Sequence, residues 1–342
     1  MDALSEVLRL VRLTGAVFLH GELTAPWGVS ALSSDAAATA LMPGAEHLVY
    51  YHLVTEGQCV ASVEGAQPVH LDAGDLVLFP HGDAHVMASA PEVQAVPAWE
   101  VYTPPPPGEV IGLRCGGGGE VTKVVCGFLS CEKVPSNPLL EALPPVLRVS
   151  MRADPNMAWI ESSLRFGASE AAAHRAGGTT VLAKLSELLF VEAVRRYIES
   201  LPAQQTGWLA GLRDRFVGRA LTLMHAHSER TWTVEELAKE VGLSRSALAE
   251  RFTEFVGQPP MQYLTRWRLQ VASHLLRSRA LSVAQVAEQV GYESEAAFNR
   301  AFKREIGAPP ATWRRRRDAG ASEPAADGSG ISPALAGARA NP

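Results

Sequence analysis

Cysteine is scarce in this 342-residue chain: only Cys59, Cys115, Cys126 and Cys131 are present. Four thiols cannot staple a chain of this length, so the fold has to rest on buried apolar side chains. Long hydrophobic runs are missing too. No stretch approaches the roughly 18 uninterrupted apolar residues of a membrane span. The opening MDALSEVLRLVRLTG carries Asp2 and Glu6 and no continuous apolar segment, so it is not expected to act as a secretory signal. These absences predict a cytoplasmic protein with reduced thiols and no membrane association. A strong net charge is also lacking, at a formal −5. That small sum conceals an asymmetry. Leu212 to Arg317 holds 18 Lys and Arg against 11 Asp and Glu, whereas the remainder holds 13 against 25. An acidic part joined to a basic part suggests that the basic part meets a polyanion. The run Arg314 to Arg317 supplies much of the excess, and without it the basic part carries only +3.

What is present is ordinary globular material, 47% hydrophobic and 20% charged, of a length that suits two domains. Residues 15 to 130 read as β structure: short apolar runs (HLVYYHLV, DLVLFP, EVTKVVCGFL) alternate with Gly, Pro and Asp. TPPPPGEV, starting at Thr103, and CGGGGE read as loops. From SNPLLEALPPVLRV onward the pattern turns helical, over about 135 to 201. Thr179 to Leu201 carries Leu182, Leu185 and Leu189 at helical spacing. PAQQTGWLAG reads as a linker, 212 to 317 as helices with short turns, and the Ala-, Gly-, Ser- and Pro-rich tail 318 to 342 as disordered.

The basic part contains a duplication. Thr233 to Gly242 (TVEELAKEVG) matches Ser282 to Gly291 (SVAQVAEQVG) at an offset of 49. After one inserted residue, Ser244, Leu248, Phe252, Gly257 and Pro259-Pro260 match Ser294, Phe298, Phe302, Gly307 and Pro309-Pro310. Each copy, 233 to 257 and 282 to 307, has the parts of a helix-turn-helix. Thr233 with Glu236, and Ser282 with Gln285, form capping boxes. Gly242 and Gly291 end the first helix, where a positive φ suits Gly. Ser244 and Ser294 are placed to cap the second. Leu248 with Phe252, and Phe298 with Phe302, are core-facing i,i+4 pairs. Between the copies, PPMQYLTRWRLQVASHLLRSR predicts a helix of about 18 residues with Met261, Leu264, Val271 and Leu275 on one face. Its length of about 27 Å is on the scale that holds two recognition helices roughly 34 Å apart, one turn of B-DNA.

Residues 212 to 317 resemble the DNA-binding domain of the AraC/XylS family of bacterial transcription regulators. The family's strongest signature is present as VAEQVGYESEAAFNRAFKREIGAPPATWRR, with Ala308 where a Thr is usual. The second helix of each copy should enter the major groove with its early exposed positions. These are Arg245, Ser246, Ala249 and Glu250, then Glu295, Ala296, Asn299 and Arg300. By resemblance the base-reading positions fall on the same residues, Arg245 excepted. Glu293 and Glu295 equally suit the positive end of a helix dipole without any ligand. Lys303, Arg304 and Arg314 to Arg317 suit phosphate contact, or are simply solvated. Trp232, Trp267 and Trp313 read as packing residues.

The acidic part carries a second pattern, Gly74, Pro80, Gly82 and His85 within GDLVLFPHGDAHVM. Gly74 turns into a strand, Pro80 ends it, Gly82 makes a tight turn and His85 points back inward. This stretch resembles the cupin-type sensor half of many AraC-like regulators, over about residues 5 to 130. A cupin enzyme uses two His, an acid and a third His on a metal. Here Ala45 stands where the first His is usual, and Glu56 reads as a turn residue. His47, His52 and His85 could hold a divalent Zn or Fe. Otherwise His52 and His85 hydrogen-bond inside a barrel without a metal and face an effector. Cys126 and Cys131, in CGFLSC, could oxidise together if a turn separated them, or sit buried as structural thiols.

The expectation is a multidomain α+β chain. A cupin-like sensor and dimerisation domain covers 1–205, and an all-α tandem helix-turn-helix domain covers 212–317. It is read as no enzyme but a transcription regulator, an activator that senses a small molecule or redox state. The expected partners are double-stranded DNA and RNA polymerase, with a second copy of the chain if the helix at 179 to 201 pairs rather than packs on the barrel. The main rival is a cupin metalloenzyme fused to DNA-binding helices. A DNA-repair alkyl acceptor would need a reactive Cys beside DNA, and residues 132 to 342 contain no Cys.

Overall fold

The computed structural model describes residues 2–11, 13–41, 45–103, 112–131, 137–150, 177–277 and 281–320, with positions 159, 162, 163 and 166. The loop TPPPPGEV beyond Thr103 and the tail from 321 lie outside them. The described chain forms two compact units. One holds Leu13–Glu132 and Leu143–Glu199, the other Met1–Arg12, Lys133–Ala142 and Ser200–Pro324. The unit boundaries are therefore discontinuous in sequence, unlike the expected spans 1–205 and 212–317. No described helix is long and apolar enough to cross a membrane.

The strands are β1 (Leu13–Thr24), β2 (Gly28–Ala31), β3 (His47–Glu56), β4 (Gln58–Val63), β5 (Val69–Asp72), β6 (Asp75–Phe79), β7 (His85–Ala88), β8 (Val96–Pro97), β9 (Tyr102–Thr103), β10 (Gly112–Gly116), β11 (Val121–Cys131) and β12 (Leu147–Ser150). One sheet runs β12-β6-β3-β11-β1-β10-β9 and the other β5-β4-β7-β2-β8. The helices are α1 (Ala3–Val11), α2 (Ser34–Leu41), α3 (Ala98–Val101), α4 (Pro138–Ala142), α5 (Gly178–Ser200), α6 (Trp208–Arg213), α7 (Val217–Ala226), α8 (Val234–Val241), α9 (Arg245–Val256), α10 (Pro260–Leu275), α11 (Val283–Gln289), α12 (Glu295–Ile306) and α13 (Pro310–Gly320).

In the β unit, the even positions of β3 and β11 (Leu48, Tyr50, Val54; Val124, Cys126, Phe128) join one core with Val77 and Phe79 of β6. The odd positions Val49, Tyr51 and Leu53 are buried as well. A strand covered on both faces reads as a continuous apolar run, which accounts for HLVYYHLV. Cover comes from α5, whose Ser186 lies beside the Tyr51 hydroxyl. The helix buries Leu189, Phe190, Ala193, Val194 and Ile198 and leaves Leu188 exposed. Residues 147–150, expected to be helical, instead form β12 on the edge beside β6. The alternation of buried Leu147 and Val149 with exposed Arg148 and Ser150 is the strand signal. The turn after β6 depends on Gly82, at φ 66°. A Cβ there would collide with the Ser34 side chain and the Leu48 carbonyl.

In the helical unit, the expected linker ends early. Trp208 to Gly211 are buried in α6, and the Trp208 indole N–H donates to Tyr263 Oη at 2.9 Å. Helix α1, from the far N-terminus, packs on α7 and α4. The connector α10 has 16 residues, about 24 Å. It does not bury a single stripe. Tyr263, Leu264, Trp267, Leu269, Gln270 and Ala272 are all buried, while Met261, Val271 and Leu275 are half-buried. The reason is that α9 packs against α10 from one repeat, and α11 and α12 from the other. The last helix, α13, runs to Gly320, past the expected start of the tail at 318.

Candidate nucleic-acid interface and effector pocket

Both capping boxes form. Thr233 accepts from the Glu236 amide and Glu236 accepts from the Thr233 amide, and Ser282 and Gln285 do the same. Ser244 caps α9 and Ser294 caps α12. Each recognition helix is thus started by its own side chain and anchored by core residues: Leu248 and Phe252 in α9, Phe298 and Phe302 in α12, all fully buried. The result is one exposure pattern in both helices. Arg245, Ser246 and Glu250 are exposed with Ala249 half-buried; Glu295, Ala296 and Arg300 are exposed with Asn299 half-buried.

The electrostatics of the two faces differ. Arg245 Nε lies 2.8 Å from Glu235 Oε1 of α8. The other arginine of α9, Arg251, makes a fork to Asp214, with Nε 3.0 Å from Oδ1 and Nη2 2.5 Å from Oδ2. Burial raises the Asp214 carboxyl. The Arg251 hydrogen bond and the Val217 and Phe216 amides outweigh it, holding the group below the usual carboxylate range. In α12, Glu305 takes Arg266 (2.9 Å), but Arg300, Lys303 and Arg304 are exposed and make no salt bridge among the described residues. Arg314, expected at phosphate, instead donates to the carbonyls of Leu276 (3.0 Å) and Leu281 (2.9 Å). It closes the C-terminal end of α10, which leaves it partly buried. Trp232, Trp267 and Trp313 are buried.

Between the sheets of the β unit lies a largely apolar pocket. Its walls include Leu19, Leu23, Met87, Leu113 and Phe128, with Tyr50, His52 and His85 among the polar lining. His52 from β3 and His85 from β7 meet Nε2 to Nε2 at 2.9 Å. His85 stacks on Phe79 at 3.8 Å between ring centres. Burial pushes both imidazoles down, His52 further for its closeness to His85, and His85 to about 4, so both are neutral at pH 7. His47 does not join them. Its Nε2 contacts the Pro80 carbonyl at 2.8 Å, because His47 sits at the start of β3, five positions before His52 and so on the opposite face. Among the described residues, no group of three His, Cys, Asp or Glu converges as a metal shell. Glu56 ends β3 and pairs with Lys123 at 2.5 Å.

Cys126 and Cys131 are not separated by a turn. They lie on one strand, β11, five positions apart and therefore on opposite faces, and cannot bridge to one another. Both are buried, and burial pushes the Cys126 thiol up, away from the reactive thiolate.

One polar centre escaped sequence reasoning. His225 of α7 is buried, with Nδ1 donating to the Ala3 carbonyl (3.2 Å) and Nε2 accepting from Tyr263 Oη (2.7 Å). Trp267 stacks on it at 3.8 Å. Its partners lie 222 and 38 residues away, so no local pattern announces it.

A cupin family model matches residues 2–199, and a helix-turn-helix domain model matches residues 237–316. A Streptomyces lividans protein described as an AraC-like transcription regulator is 35% identical over 273 residues, covering 79% of this chain and 88% of the relative. A Streptomyces antibioticus protein of the same description is 33% identical over 272 residues, with the same coverage. The chain belongs to the AraC-like transcription regulators. The HTH-type transcriptional regulator AlkR of Acinetobacter baylyi is 27% identical over 318 residues, 92% of this chain and all of the relative. As an AraC-like regulator, the chain couples a cupin domain to DNA-binding helices, as both sequence patterns implied, and its relatives are named as regulators rather than enzymes.

Proposed function

We propose that this AraC-like protein is an activator that reads two successive major grooves and responds to a small molecule held in the cupin pocket. The observation that carries the DNA reading is the cationic face of α12: Arg300, Lys303 and Arg304 are exposed and make no salt bridge among the described residues. Asn299 and Arg300 read bases, since amide and guanidinium groups make the bidentate contacts that discriminate them. Lys303 and Arg304 neutralise phosphates and add affinity without sequence choice. In α9, Ser246, Ala249 and Glu250 face the second groove, and Arg245 joins them on leaving Glu235. RNA polymerase is the partner of activation, and a second copy of the chain the partner on DNA. Effector control requires different ligand affinity in the DNA-competent and idle states.

Selection of binding sites from random DNA with the full chain, followed by salt titration, tests this reading. A recovered consensus with two half-sites about one helical turn apart is expected. Equal affinity for selected and random DNA would sink it.

A further inference from the structure

The pocket's hydrogen-bond inventory identifies the chemistry of its occupant, given the reading of the barrel as the effector site. The Asp83 carbonyl can only accept, so His85 Nδ1, 3.0 Å away, carries its ring proton. His85 Nε2 is then a bare acceptor. The 2.9 Å Nε2–Nε2 contact requires His52 Nε2–H to donate across it. That leaves His52 Nδ1 as a lone pair, and it is buried with no partner among the described residues. The Tyr50 hydroxyl and the Trp27 indole N–H, from two more residues of the same pocket, are buried and unpaired as well. An unpaired buried polar group is costly, and a ligand that satisfies it recovers that cost. Among the described residues no Lys, Arg, Asp or Glu lines the pocket, so none of them compensates a charged ligand.

The geometry points to a neutral, largely apolar effector that bears one hydroxyl or N–H donor, an alcohol or phenol, seated with that donor on His52 Nδ1. Tyr50 Oη is the second polar contact, donating to the ligand oxygen. Nδ1 is covered by its neighbours, so seating the donor requires a lining side chain to give way. A carboxylate could accept from Tyr50 and Trp27, but it leaves Nδ1 unpaired and its charge uncompensated. A plain hydrocarbon fills the walls but leaves Nδ1 unpaired.

Two matched sets test this on the full-length protein: naphthalene, 2-naphthol and 2-naphthoate; octane, 1-octanol and octanoate. Binding is read at pH 7 by quenching of tryptophan fluorescence. The hydroxyl member of at least one set should bind roughly tenfold tighter than its hydrocarbon and its carboxylate. His52→Phe should erase that margin while hydrocarbon affinity survives. Should that variant not fold, ¹⁵N-imidazole spectra of the unaltered protein give the same answer: His52 protonated on Nε2, with Nδ1 shifting on addition of the alcohol. Hydrocarbon or carboxylate binding as tightly as the alcohol, or a His52 proton on Nδ1, overturns the proposal alone. If none of the six compounds binds or alters DNA affinity, the effector-site reading falls, and the proposal with it.

Discussion

The two helix-turn-helix units share one skeleton and differ in what their surfaces have left to offer. Caps, turn glycines and buried pairs coincide position by position. Yet α9 has both its arginines in ion pairs, with Glu235 and Asp214, whereas Arg300, Lys303 and Arg304 of α12 are in no salt bridge among the described residues. Duplication preserved what holds a recognition helix in place and released what it presents. The cap chemistry diverged too: the first box uses an ionisable Glu236, the second the amide Gln285.

The largest expected effect treats the units alike. Phe252→Ala and its counterpart Phe302→Ala each empty a fully buried site and should each cost about 3–5 kcal/mol in denaturant unfolding. A large inequality would break the equivalence of the two cores. Gly242→Ala and Gly291→Ala separate them. Both positions have φ 79°, which costs an L-residue about 1–2 kcal/mol. A Cβ at Gly242 meets open space, whereas one at Gly291 collides with the Glu229 carbonyl. Gly291→Ala should therefore lose several kcal/mol and Gly242→Ala only the strain. Equal losses would show that the Glu229 loop yields freely.

On DNA, replacing Arg300, Lys303 and Arg304 together with Ala should flatten the salt slope by nearly two, at about 0.9 for each of the two phosphates that Lys303 and Arg304 no longer neutralise. Arg300→Ala alone should also relax base preference, by about 1–3 kcal/mol at one position. Arg245→Ala should change affinity less, since its exposed pair with Glu235 contributes at most about 1 kcal/mol and competes with DNA. A larger loss from Arg245→Ala than from the triple variant would reverse the assignment of roles.

The smallest effect is acid sensitivity. The backbone hydrogen bond from Thr233 and its hydroxyl hold the Glu236 carboxyl below its usual range, and Asp214 is likewise held down on balance. A depressed carboxyl contributes stability that is present above its unfolded value, about 4, and is lost as pH falls through the folded one. Hydrogen exchange in α8 should therefore speed up below pH 4 before that in α11, and Glu236→Gln with Asp214→Asn should abolish the difference. Simultaneous opening of both helices in the unaltered protein would refute this.

Much of the DNA-reading unit was legible because its signals are local. A capping box, a positive-φ glycine and an i,i+4 aromatic pair each act within one turn, so their residues lie within four positions of one another. The Gly74–His85 pattern was legible for the same reason. Misreadings occurred where a local pattern had a non-local partner. Trp208 looked like linker until Tyr263 was found to hold it. The stripe expected on α10 was too narrow because two repeats press on it from different sides. For Cys126 and Cys131, the reading as buried thiols held, and the pairing around a turn failed because one continuous strand sets them on opposite faces.

The amino-acid sequence by itself determined the two units, the register of their caps and which side chains could face outward, since backbone conformation and short-range hydrogen bonding decide those. Only the tertiary structure decided which outward cations remain available and which buried atoms remain unpaired. Arg251 is spent on a residue 37 positions away, Arg314 on carbonyls 38 and 33 away, and His52 on His85, 33 away. Side-chain hydrogen bonds over such separations form only when docking of distant elements brings donor and acceptor to within about 3 Å, and no pattern within a single element encodes that meeting.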